Sequence, residues 1–275
     1  VIRIVRLPLG ADGAERLARK AEHVRQLGGS VAHARATWKS AAAERGLVRD
    51  RLAEMAAGIQ RCMYCGDSLG TDIDHFEPLA RTPSRAFDWL NHLLACSHCN
   101  SNEKRDGHPC GEAGECLLID PTREEPSTHL RLVLSTGEYQ ASTPKGGATI
   151  ETIGLNRPDL VRGRADAFAM RGLVFLGLMA KHDAGDIDAW RVALDALHRQ
   201  PFADVLAAMM RIADRPGADI VLGADVRDAM LTVVSLMRAE GAPTVHMTSA
   251  MGEASTAGAL GSSGVQAPRG PSGKT

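Results

Sequence analysis

The feature that most constrains this chain is a doubled pair of cysteines, Cys62-Met63-Tyr64-Cys65 and Cys96-Ser97-His98-Cys99. Two Cys-x-x-Cys pairs offer four thiolates, the number a closed tetrahedral Zn²⁺ takes, at about 2.3 Å per bond. The stretch between the pairs, residues 66–95, is longer than a simple zinc ribbon needs, so something is inserted between the knuckles. We expect a structural Zn²⁺ on Cys62, Cys65, Cys96 and Cys99. Four unligated buried cysteines are the competing reading, and the doubling argues against it. His98 lies inside the second knuckle and could replace a cysteine as ligand, although four cysteines already suffice.

The insert carries Asp74-His75-Phe76-Glu77-Pro78 just after a short strand expected at residues 71–73. Asn91 follows in Trp89-Leu90-Asn91-His92-Leu93-Leu94, and Asn100 comes directly after Cys99. Phosphodiester hydrolysis needs an activated water, a charge sink and help for the leaving oxygen. An imidazole titrates near neutrality, so His75 suits general-base work. Asp74 and Asn100 offer hard oxygens of the kind that hold Mg²⁺ or Mn²⁺. Other readings stand beside these. Asp74 could only orient the His75 ring. Glu77 could support His75 or touch substrate. His92 could be packing or surface, and Lys104 a phosphate contact or plain helix surface.

Taken in order, Cys-x-x-Cys, Asp-His, Asn, Cys-x-x-Cys-Asn and a nearby Lys resemble the HNH endonuclease family in its zinc-bearing ββα-metal form, over about residues 60–105. The resemblance implies a DNA endonuclease. In it His75 is the general base, a divalent metal sits on Asp74 and Asn100, and Asn91 holds the ββα loop and orients His75. A wider likeness is to the HNH component of Septu-type and some retron anti-phage systems. It rests on Trp38, the Cys-Met-Tyr-Cys opening, Asp120-Pro121, Gly137-Glu138 and Leu155-Asn156-Arg157. It implies a defence effector working with an ATPase partner. Two positions depart from that pattern: Asp74 stands where Glu is common, and Lys104 lies one residue further from Asn100, with Glu103 in its place.

The remainder reads as mainly helical, so the fold class expected is α+β with helical flanks. Aromatics make up only 4% of the 275 residues, which favours helices built on Leu, Ala, Val and Met over a sandwich. Residues 1–60 read as an N-terminal helical region. One helix stops at Gly28-Gly29, and a longer amphipathic stretch follows in which Gly46 is the expected break. Residues 61–105 are the nuclease core. Residues 106–156 read as a loop-rich extension with a hairpin at residues 130–134 and 138–140. Residues 157–243 return to helix, with segments expected at 159–180, 187–199, 203–212 and 224–239. Their apolar residues, Met209, Met210 and Met230 included, read first as core and second as a docking face for the ATPase. Residues 244–275, rich in Gly, Ser, Ala, Thr and Pro, are expected to be a disordered tail.

Formal net charge is -1, yet residues 1–61 hold twelve Lys/Arg against six acids. A basic front end fits phosphate contacts, and equally an ordinary solvated helix face. There is no long apolar run and no signal-peptide pattern, so a cytoplasmic protein without membrane contact is expected. In such a reducing compartment paired cysteines read as metal ligands, while Cys110 and Cys116 read as two free thiols. The competing function is a non-catalytic zinc-knuckle module that binds nucleic acid or a partner protein. Such a module has no need of Asp74, His75, Asn91 and Asn100 together.

Overall fold

The first helix, α1 (Ala11–Gln26), buries Leu17 and Val24 and ends where Gly28 and Gly29 take φ of 96° and 64°. This is a computed structural model, and it describes residues 1–239. Helix α2 (Val31–Ser40) opens with Ser30, whose hydroxyl accepts a bond from the His33 N–H at 3.2 Å. Helix α3 (Ala42–Met55) follows at once. The break between them is at Ala41, where ψ swings to 56°, and Gly46 lies inside α3. The expected break at Gly46 is therefore wrong. Ala41 is the buried corner between the two helices, with Ala34 buried on α2 and Val48 and Leu52 buried on α3.

Strands β1 (Asp72–His75) and β2 (His92–Ala95) pair antiparallel, with His75 opposite His92 and Asp72 opposite Ala95. The strand expected at 71–73 is thus shifted toward His75. All of β2 is buried, because α3 packs on the sheet and the first knuckle docks on it, Met63 N–H donating to the Leu94 carbonyl at 2.8 Å. A π-helical turn (His98–Lys104) follows β2. Strand, strand and turn give the ββα order expected for residues 61–105.

The hairpin is present as β3 (Leu130–Val133) and β4 (Glu138–Ala141). Helix α4 (Pro144–Ile153) was not expected. Its signals were there: Thr143 caps the Gly146 N–H at 3.2 Å, Pro144 opens the helix and Gly154 closes it at φ 61°. Gly146-Gly147 masked it. A Cβ on Gly146 would lie 2.0 Å from the His129 carbonyl oxygen, so the close approach of the helix to the hairpin requires glycine.

Helices α5 (Pro158–Asp183), α6 (Ile187–Arg199), α7 (Ala203–Ile212), α8 (Ala218–Leu222) and α9 (Ala224–Ala239) form the helical region, with α5 packed on α6, α7 and α9. Met209, Met210 and Met230 are buried in its core. Phe202, just before α7, donates its N–H to the Gly66 carbonyl at 2.8 Å, tying this region to the first knuckle. Among the described residues no helix is long and apolar enough to cross a membrane. The tail expected at 244–275 lies outside the described residues.

Candidate active site

The two knuckles close on each other. The sulfurs of Cys62, Cys65, Cys96 and Cys99 all lie within 4.8 Å of one another, and all four residues are buried. The Cys65 and Cys96 sulfurs are 3.9 Å apart. A tetrahedron with 2.3 Å bonds places its sulfurs roughly 3.8 Å apart, so the cluster fits Zn²⁺. Bonds from Cys62, Cys96 and Cys99 hold the Cys65 thiol far down, toward thiolate, while burial pushes Cys62 well up. Four thiolates on one dication leave a net negative charge. The guanidinium of Arg157, at 3.6 and 3.7 Å from the Cys99 sulfur, is placed to offset it. His98 is not at this centre; it is exposed and bonded to Glu103 at 3.0 Å.

His75 leaves the end of β1 on the face opposite Asp74, as strand alternation requires. Its Nε2 lies 3.0 Å from the Ala86 carbonyl oxygen, and the Nε2 of His92 lies 3.1 Å from the same oxygen. A carbonyl only accepts, so both Nε2 atoms carry the proton in the neutral rings and the His75 Nδ1 keeps a lone pair. The Trp38 indole covers the pair, centred 4.6 Å from the His75 ring and 4.9 Å from His92. Burial lowers the His75 pKa, against the opposing pull of the Ala86 bond and Asp74. Burial drives fully enclosed His92 well below the ordinary histidine value, with His75 adding to the effect. Burial thus favours the neutral form of both rings, and His92 packs against Trp38 and His75.

Asp74 is buried and does not bond His75. One carboxylate oxygen accepts from the Tyr64 hydroxyl at 2.5 Å and the other from the Lys104 ammonium at 3.0 Å. Lys104 is enclosed as well, and also donates to the His75 carbonyl at 2.9 Å. Neither surface nor phosphate contact describes it. Asn91, wholly buried, clamps the loop after β1: its Oδ1 accepts from Glu77 N–H at 2.8 Å, and its Nδ2 donates to the Glu77 and Arg85 carbonyls at 3.0 and 3.2 Å. It thus reaches His75 through the loop, one residue before Ala86. The Glu77 carboxylate is engaged with Thr82 at 2.5 Å and Arg85 at 2.7 Å.

Asn100 is hydrogen-bonded to Asp72, at 3.2 Å, and no direct bond joins it to Asp74 among the described residues. Asp72 and Asp74, two apart on β1, face the same π-helical turn that carries Asn100 and Lys104. Asp72 and Asn100 open onto a cleft of about 480 Å³ bordered by Trp38 and α3.

Residues 62–106 match the family model described as HNH endonuclease. No curated protein matches the chain, and no solved structure does. The matched segment includes both knuckles, Asp74, His75, Asn91 and Asn100. Several of its working contacts were not expected from sequence: the Ala86 carbonyl, Tyr64 and Lys104 on Asp74, and Asp72 beside Asn100. Arg157, outside the HNH domain, lies in the Leu-Asn-Arg segment noticed above, but nothing local signals its reach to Cys99. The two remaining cysteines, Cys110 and Cys116, face each other across an antiparallel bridge, apart from the zinc cluster.

Proposed function

We propose that the HNH domain is a metal-dependent endonuclease that hydrolyses phosphodiester bonds in DNA, with His75 as general base. The observation that carries this reading is the double acceptance at Ala86. It leaves the His75 Nδ1 unprotonated and fixed in direction, in a ring that burial keeps neutral. His75 takes a proton from water at Nδ1 as the water oxygen bonds to phosphorus. The bond from phosphorus to the 3′ oxygen breaks, and solvent protonates the departing oxygen. Asn91 and His92 are positioning residues: Asn91 pins the loop that carries Ala86, and His92 shares its carbonyl.

Asp72 and Asp74 on β1 and Asn100 on the turn they face supply hard oxygens, the donor type that Mg²⁺ or Mn²⁺ takes. Each Asp74 oxygen keeps a second lone pair beyond the bond from Tyr64 or Lys104. Asn100 and Asp74 would hold the metal, with Asp72 beside them. Bound there, it would neutralise charge on the phosphate and on the leaving oxygen.

The test is incubation of supercoiled plasmid, and of RNA in a parallel arm, with Mg²⁺, Mn²⁺ or EDTA. Nicked or linear DNA in the metal arms alone is the expected result. DNA bound but uncut in every arm supports the non-catalytic module instead, and cutting of RNA alone overturns the choice of DNA.

A further inference from the structure

The arginines of α1–α3 divide into two groups. Arg16, Arg19, Arg25, Arg35 and Arg51 are ion-paired, to Glu44, Glu15, Glu22, Asp106 and Glu54 respectively. Arg45 and Arg49 have no acidic or hydrogen-bonding partner among the described residues, and the Arg45 Nε is buried with its donor unsatisfied. These two, one turn apart on α3, are the arginines that border the cleft onto which Asp72 and Asn100 open. Asp50 also borders it, so the wall is mixed in sign but positive by one charge on α3.

Between them lies Gly46, a residue that weakens a helix interior. Packing within the chain does not require it, since a Cβ there would meet no atom within 4 Å. The space that glycine leaves open belongs to the cleft. Unpaired guanidinium groups spaced on the order of 6 Å apart along a helix face, with a bare backbone beside them, suit an extended polyanion lying against α3.

We propose that Arg45 and Arg49 grip consecutive phosphates of the DNA strand being cut, and that Gly46 admits its sugar–phosphate backbone against α3. The N-terminal helices, outside the HNH match, thereby form the second wall of the substrate site. This rests on the nuclease reading above and adds to it the residues that hold the strand.

The experiment is a salt titration of binding to a labelled DNA duplex by the full chain in a His75→Ala background, so that the probe stays intact. Arg45→Gln/Arg49→Gln should weaken binding on the order of tenfold to a hundredfold and flatten the slope of log K against log salt by about 1.8, the value for two lost phosphate contacts. Gly46→Leu should raise the thermal midpoint, since leucine is the better helix former, yet weaken binding. Arg19→Gln/Arg25→Gln, which removes paired surface arginines, should bind as the parent does. Parent-like affinity and slope in the Arg45/Arg49 variant overturn the grip, while plasmid cutting by the native chain leaves the nuclease reading intact. Parent-like binding by Gly46→Leu overturns the close approach to α3. A native chain that neither binds nor cuts DNA overturns the nuclease reading and the grip together.

Discussion

The Nε2 of His75 lies 3.0 Å from the carbonyl oxygen of Ala86, and that contact decides which ring nitrogen is free to act. Burial lowers the pKa of this ring, with nearby Lys104 adding a smaller push in the same direction. The neutral base therefore persists to lower pH than an ordinary histidine near 6.5 allows. In a pH profile of kcat/KM the acid limb should fall with a midpoint below about 6.5. A midpoint at or above that value would mean that the group losing its proton is not this buried ring.

Lys104 and Asp74 form an ion pair with side chains 0% and 3% exposed. Removing one partner leaves an uncompensated charge in the interior, at a cost of about 3–5 kcal/mol. Lys104→Met should lower stability in urea denaturation by that amount. Adding Asp74→Leu should recover part of the loss, because the stranded carboxylate goes with it. A cost for Lys104→Met below roughly 1 kcal/mol, the scale of surface pairs, would show that Lys104 sits in solvent.

Asn91 makes three side-chain bonds to the loop of Glu77 and Arg85. Asn91→Ala orphans those backbone groups at roughly 1–3 kcal/mol for each one that water does not reach. Both the thermal midpoint and kcat should fall, with KM for DNA nearly unchanged, since Asn91 touches the loop and not the cleft. A variant with native kcat and native stability would remove the loop clamp from the account.

How much of this was legible beforehand follows from how local each signal is. The four cysteines stand in two short motifs whose spacing already implies a shared metal, while Asp74, His75, Asn91 and Asn100 were singled out by the order of motifs that resembles the HNH family. The partners that set their state come from elsewhere: Tyr64 for Asp74, Trp38 for His75 and Arg157 for Cys99. The burial of Lys104 depends on a strand thirty residues before it, so periodicity could not show it. Among the helices, α5, α6, α7 and α9 were readable from apolar spacing. Gly146-Gly147 hid α4, and Gly46 suggested a break that fell at Ala41 instead. A single glycine costs a helix only about 1 kcal/mol, and burial of Val48 and Leu52 on α3 offsets that.

Zinc removal separates the six cysteines. The native protein should contain one Zn²⁺ and expose only half-buried Cys110 and Cys116 to a thiol reagent. Chelation should then release the four knuckle thiols together and unfold the HNH domain, because structural zinc binding is coupled to folding. Rapid reaction of all six before chelation, or absence of zinc from the purified protein, would contradict the assigned centre.

The central claim is that His75 is the base, and its most direct test is single-turnover cleavage of supercoiled plasmid in Mg²⁺ or Mn²⁺ by the native chain and by His75→Ala. Zinc content and thermal midpoint should first be matched between the two. The account predicts that the variant binds DNA but cuts it about 10²–10⁴-fold more slowly, the usual contribution of a positioned general base. Cutting at the native rate by a folded, zinc-loaded His75→Ala would contradict it.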